Sequence, residues 1–229
     1  MHTIRVWDLP TRLFHWSLVL CVVGLIVTGN VGGNAMVWHG RLGYAVLTLL
    51  LFRVAWGLVG GHWSRFARFL YGPDSILAYL RGQGRPEHSV GHSPLGMFSV
   101  LALLLILLAQ VGSGLFADDE IAFTGPLAGL VSGGWVEQAT RYHKQVGKLI
   151  LIALVALHLG AIAFYKLVKK QALVRPMIVG DKAVPTPLPA SQDNARTRLL
   201  ALVLLLLCAA AVYGIVSLGD GALPTASYD

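Results

Sequence analysis

The chain has 229 residues, of which 55% are hydrophobic and only 13% charged, with a mean hydropathy of +0.67. Soluble domains carry nearly twice that charged fraction, and the apolar residues gather in long blocks, so the composition excludes a secreted disulfide scaffold, a disordered tail and a cytosolic nucleotide-binding fold and points to an integral membrane protein. The net charge of +7 is explained by the bias of Lys and Arg toward one side of a membrane, without nucleic acid as a partner.

Five blocks read as spanning helices: Leu13–Thr28, Leu42–Val59, Leu95–Phe116, Val146–Val168 and Leu199–Leu218. Each approaches the roughly 20 residues that cross a hydrocarbon layer about 30 Å thick. The first follows Arg5 and Arg12 as a signal peptide would, but it lacks a small-residue cleavage site and is read as retained. The outer loop from Ala117 to Thr140 is acidic at one end and more apolar after Gly125, suited to the membrane surface or to docking. Three prolines and several polar residues make 183–198 a linker between a four-helix unit over 1–182 and a fifth helix with a short external tail over 199–229. The expected fold class is an all-α membrane protein, a four-transmembrane-helix bundle plus a fifth C-terminal transmembrane helix. Cys21 and Cys208 lie in apolar blocks and no C-x-x-C-H occurs, so any haem would be held without covalent attachment.

Orientation follows from the cations. Thirteen Lys and Arg fall in the N-terminus, the second-to-third loop and the segment between the fourth and fifth blocks, against four (Arg41, Arg141, Lys144, Lys148) on the other side. The N-terminus is therefore expected in the cytoplasm and, after five crossings, the C-terminus outside.

Four of the eight histidines stand where a bilayer makes them costly: His15, His39, His143 and His158. On the fourth helix, 15 residues separate His143 from His158, about 22 Å of rise and about 60° of rotation. One helix face thus offers an imidazole in each leaflet. His39 matches His143 in depth and His15 matches His158, the arrangement two stacked bis-histidine b-type haems require. Singly, His15 and His39 also suit an interfacial packing role, whereas His158 lies between Leu157 and Leu159.

Gly43 and Gly147 follow His39 and His143 by four residues, one turn along the same face, where a missing side chain would admit a flat macrocycle. Glycine also favours plain helix packing. Arg53 lies about 21 Å beyond His39 and within about 40° of its face, placed either to meet a propionate of the inner haem or to snorkel to headgroups. Arg41, Arg141, Lys144 and Lys148 have the same two readings at the outer haem. His92 is a weaker candidate for contacting a haem or a quinone, the alternative being a helix-entry residue. Gln110 reads as a helix-packing contact.

These residues lie in segments that together resemble the prokaryotic cytochrome b561 family, which includes the cytochrome b subunits of nickel–iron hydrogenases. The segments are Val6-Trp-Asp-Leu-Pro-Thr-Arg-Leu-Phe-His15-Trp16, His39-Gly-Arg-Leu-Gly-Tyr44, Leu51-Phe-Arg53, Gly91-His-Ser-Pro94, the His143–His158 helix and Leu173-Val-Arg-Pro-Met-Ile-Val-Gly180. The resemblance spans about residues 4–182. It implies a four-helix bundle with two b-type haems, ligated by His15, His39, His143 and His158, carrying electrons between membrane quinone or quinol and a redox partner. The expected function is a relay between the quinone pool and a periplasmic protein such as a c-type cytochrome. The rivals are a membrane-anchor cytochrome subunit of a larger oxidoreductase, such as a nickel–iron hydrogenase, and a haem-free transporter or assembly protein. Association with a second copy is left open, as is the role of the fifth helix.

Overall fold

The computed structural model describes residues 1–121 and 123–220. The tail expected outside the membrane at 221–229 lies beyond the described residues. Two long helices open the bundle, α1 (Leu9–Val31) and α2 (Ala35–Val59), following a short strand β1 (His2–Arg5). Asp8 caps α1 by accepting the Thr11 amide at 2.8 Å, and Pro10 sits in the first turn, where its missing N–H costs nothing. The reversal between α1 and α2 runs through Gly32 and Gly33 at φ +68° and +52°, a conformation that side chains disfavour.

The Asp8 carboxylate also accepts from Trp56 Nε1 at 3.1 Å and Ser64 Oγ at 2.9 Å, tying the start of α1 to the end of α2 and the turn after it. A Cβ at Gly61 would fall onto Asp8 Oδ2, so only glycine fits there. A short helix α3 (Pro73–Leu80) follows, then α4 (Pro94–Leu115), which Ser93 caps through the Gly96 amide at 3.1 Å. Next come α5 (Gly133–Arg141), one π-helical turn (Tyr142–Gly147) and α6 (Lys148–Leu167), continuous as a single rod. The short helix α7 (Val174–Val179), strand β2 (Asp181–Val184) and the long α8 (Ala195–Asp220) complete the chain.

Five of these segments are long and apolar enough to cross a membrane: Leu9–Val31, Ala35–Val59, Pro94–Leu115, Gly133–Leu167 and Ala195–Gly219. Leu20, Leu157 and Leu207 are among many large apolar residues that face outward, which lipid accepts and water does not. The chain is a multi-pass, all-α membrane protein. Helix α2 is central: Val46, Leu47 and Leu50 pack with Ile106, Leu107 and Val111 of α4, Leu151 of α6 and Val212 of α8. Ala201 of α8 packs with Phe14, Phe52 and Trp56.

Below, the end of the bundle where α1 begins is the N-terminal end and the other is the far end. At the N-terminal end β1 and β2 pair antiparallel, His2 opposite Val184 and Arg5 opposite Asp181. Ser191 donates to Val6 O at 2.7 Å, accepts the Trp63 amide at 3.2 Å and sends its own amide to Arg5 O at 2.7 Å. Asp193 lies 2.8 Å from both Arg5 and Arg198. Residues 183–194 therefore run across this platform, hydrogen-bonded to it, on the way to α8.

A candidate haem site between facing histidines

At the far end, His39 of α2 and His143 of the π-helical turn face each other with ring centroids 6.0 Å apart and planes at 85°. An imidazole nitrogen sits about 2 Å from a metal it binds, so two rings on opposite sides of one ion have centroids about 6 Å apart. His39 Nδ1 lies 3.1 Å from Leu25 O and His143 Nδ1 lies 2.8 Å from Gln110 O. A carbonyl can only accept, so each Nδ1 carries its proton and each Nε2 keeps a lone pair.

A cavity of about 390 Å³ opens around the two rings. Gly29, Gly40, Gly43 and Gly114 line it, with Lys144 and Lys148 beside them. No side chain comes within 4 Å of where a Cβ on Gly43 would stand. Glycine walls and two imidazoles suit a flat, apolar macrocycle, and its polar rim carries both signs of charge, Lys144 and Lys148 with Asp118 and Asp119. Among the described residues no three His, Cys, Asp or Glu gather to hold a bare metal ion; a macrocycle fills four positions of its own metal and asks the protein for two.

At the N-terminal end His15 of α1 and His158 of α6 interact electrostatically, and His92, just before α4, feels His15, His158 and Arg53 together. Burial, followed by the charge of Arg53 and the two histidines, pushes His92 down to about 3, so it is neutral. Its ring lies 4.8 Å from Trp7 and 4.5 Å from Phe69. Arg53 is 4% exposed, its guanidinium 4.8 Å above the Phe66 ring and 5.9 Å from Phe69. It therefore points inward rather than snorkelling. Asp8 acts on it through space, but that carboxylate is already taken by Thr11, Trp56 and Ser64. Nη1 of Arg53, Nδ1 of His15 and Nδ1 of His92 are buried without a hydrogen-bond partner. Buried polar atoms of this kind are costly unless something polar meets them; for the Arg53 donor a haem propionate fits.

Three residues singled out by sequence lie elsewhere. Arg41 stacks on Trp38 at 5.1 Å and does not line the cavity. Gly147 is also off the cavity: a Cβ there would strike Gln110 Oε1. The cause is the π-helical turn, which widens the helix between His143 and Gly147 and rotates the glycine away. Arg141 does not reach the cavity lining either. Sequence reasoning missed Phe123, which lies over Gly40, and the part played by Gln110, whose side-chain amide donates to His143 O at 2.8 Å.

The family model of prokaryotic cytochrome b561 matches residues 6–180. A probable Ni/Fe-hydrogenase B-type cytochrome subunit of Bradyrhizobium diazoefficiens is 23% identical over 214 residues, covering 79% of this chain and 86% of that protein. Proteins of the same description from Azotobacter chroococcum and Azotobacter vinelandii are 26% identical, each over 77% of this chain and 87% of their own length. No solved structure matches the chain.

Proposed function

This chain belongs to the prokaryotic cytochrome b561 family, and from that premise we propose that it is the membrane cytochrome subunit of a larger oxidoreductase, holding two b-type haems and passing electrons between that enzyme and the quinone pool. A membrane cytochrome b of this kind carries electrons. The observation that supports the haem reading best is the far-end pair, two imidazoles 6.0 Å apart across a glycine-walled cavity.

When bound, haem supplies a one-electron couple at its iron and an edge through which electrons pass. The protein's part is to hold and tune it. His39 and His143 offer Nε2 at the far end, and His15 and His158 are the corresponding pair at the N-terminal end. Lys144 and Lys148 are suited to carboxylates of the first group, Arg53 and His92 to those of the second. Two protein ligands per iron leave no position for a substrate, so the chemistry is electron transfer and not turnover at the metal. The excess of Lys and Arg at the N-terminal end supports a cytoplasmic position for it, in the inner membrane, with the histidine pair at the far end toward the periplasm.

A free-standing relay to a periplasmic c-type cytochrome is the second reading. The subunit reading is favoured because the relatives are described as hydrogenase cytochrome subunits, which makes a hydrogenase-like enzyme the expected partner. The test is purification after mild solubilisation, with haem-to-protein ratio, reduced-minus-oxidised spectrum and redox titration. Two low-spin b-type haems per chain and a stoichiometric redox enzyme are expected. A lone chain with two haems that accepts electrons from quinol would favour the relay, and a folded chain without haem would overturn both.

A further inference from the structure

The two far-end histidines are seated on neighbouring helices in the same way. On α1, the Leu25 carbonyl accepts from His39, Thr28 stands three residues on and Gly29 four residues on. On α4, the Gln110 carbonyl accepts from His143, with Ser113 and Gly114 at the same two steps. Thr28 Oγ1 commits its hydrogen to Gly24 O at 2.7 Å and lies 3.2 Å from His39 Nδ1. Ser113 Oγ commits its own to Ala109 O at 2.8 Å and lies 3.5 Å from His143 Nδ1. Both hydroxyls thus turn a lone pair toward an N–H.

The glycines match more closely still. A Cβ on Gly29 would stand 3.0 Å from Cε1 and 3.2 Å from Nδ1 of His39; on Gly114 it would stand 3.0 Å and 3.2 Å from the same atoms of His143. A side chain at either position would require the ring to give by a few tenths of an ångström. Among the described residues His15 and His158 have no such seat: Nδ1 of His15 is unpartnered and that of His158 has Ser99 Oγ at 3.3 Å.

We propose that Thr28–Gly29 and Ser113–Gly114 are matched positioning pairs that hold His39 and His143 against helix carbonyls with Nδ1 protonated, fixing Nε2 as the ligand atom and lowering the potential of the far-end haem. An imidazole that donates a full N–H···O=C bond is a stronger donor to its metal, which favours the oxidised iron. The seats also bring α1 and α4 into a site whose ligands lie on α2 and the α5–α6 rod, so all four core helices hold one group. This inference rests on the haem reading above.

The test is a redox titration, with low-spin electron paramagnetic resonance spectra, of wild type, Gly29→Ala, Gly114→Ala, Thr28→Val, Thr28→Ser, Ser113→Ala and Ser113→Thr. Each alanine at a glycine is expected to raise one midpoint by about a tenfold change in the oxidised-to-reduced ratio, about 59 mV for one electron, and to leave the other midpoint alone. Thr28→Val and Ser113→Ala move the same midpoint by less, while Thr28→Ser and Ser113→Thr restore it. If the alanine variants lose the haem, the hydroxyl series carries the test by itself. A wild type with two midpoints whose variants shift neither, or shift both alike, overturns the seats and leaves the cytochrome reading standing. A wild type purified without haem overturns that reading, and this inference with it.

Discussion

Gln110 and His143 grip each other twice: the Gln110 side-chain amide donates to the His143 carbonyl at 2.8 Å, and His143 Nδ1 donates to the Gln110 carbonyl at 2.8 Å. The first bond ties α4 to the π-helical turn at Tyr142–Gly147. The second orients the ring. Gln110, in the last third of α4, thus joins that helix to the histidine on the rod through both its side chain and its backbone.

Gln110→Leu is expected to destabilise the protein by about 0.5–1.5 kcal/mol, the net contribution of one intramolecular hydrogen bond. The far-end haem is expected to be lost preferentially. Thermal unfolding followed by haem absorbance checks this; an unchanged midpoint and unchanged haem content would show that the turn is held by other contacts.

Histidine substitutions separate the two sites. His143→Ala is expected to remove the far-end haem and spare the other, and His158→Ala the reverse, each leaving one haem per chain. Haem quantitation on folded protein reads the outcome directly, and the opposite selectivity would exchange the pairs.

Arg53→Met keeps the volume of the side chain and removes its charge. Because an unpaired buried cation is a burden to the fold, the haem-free protein is expected to hold its stability or gain slightly, while haem at the N-terminal end binds at least tenfold more weakly. Competition with an apo-haem-binding protein measures this, and undiminished affinity would rule Arg53 out as a propionate partner.

Acid should loosen the platform at the N-terminal end. Burial would raise the Asp193 carboxyl, but the hydrogen bond and charge of Arg198 and the charge of Arg5 outweigh it and hold the group below its ordinary range. Its folded-state value being the lower one, the stabilisation is complete above the ordinary carboxylate value of about 3.9 and fades as pH falls through the folded-state value. Protection against hydrogen exchange at β1 and residues 189–194, corrected for the intrinsic rate at each pH, should therefore fall below about pH 4, and Asp193→Asn should show that lower protection already at neutral pH.

Hydropathy and helical arithmetic reveal the five crossings and bring His39 to the depth of His143 because α2 and α6 are regular over most of their length. Both fail near helix ends. Hydropathy starts the second helix at Leu42, whereas the backbone is helical from Ala35; His39, Gly40 and Arg41 lower the local hydropathy without breaking the hydrogen-bond ladder. A fixed rotation of about 100° per residue cannot anticipate the wider turn at Tyr142–Gly147, so Gly147 looks like a cavity residue and Gln110 looks like packing. The inward course of Arg53 depends on Phe66 and Phe69, which come from a loop with no periodic signal. The seats at Thr28–Gly29 and Ser113–Gly114 were in plain sight as two hydroxyl–glycine pairs near the ends of α1 and α4, but a dipeptide that common has no meaning until a ring is found resting on it.

The pairing of β1 with β2 sets an order of events during synthesis. The strand His2–Arg5 meets its partner only when Asp181–Val184 has been made, on the order of ten seconds or more after the first residues leave the ribosome at about 5–20 residues per second. Until then Val6 and Trp7 lack Val184 from the small core they share with Trp63 and Val90. The platform therefore closes only after the first four long helices have been made, with α8 still to follow.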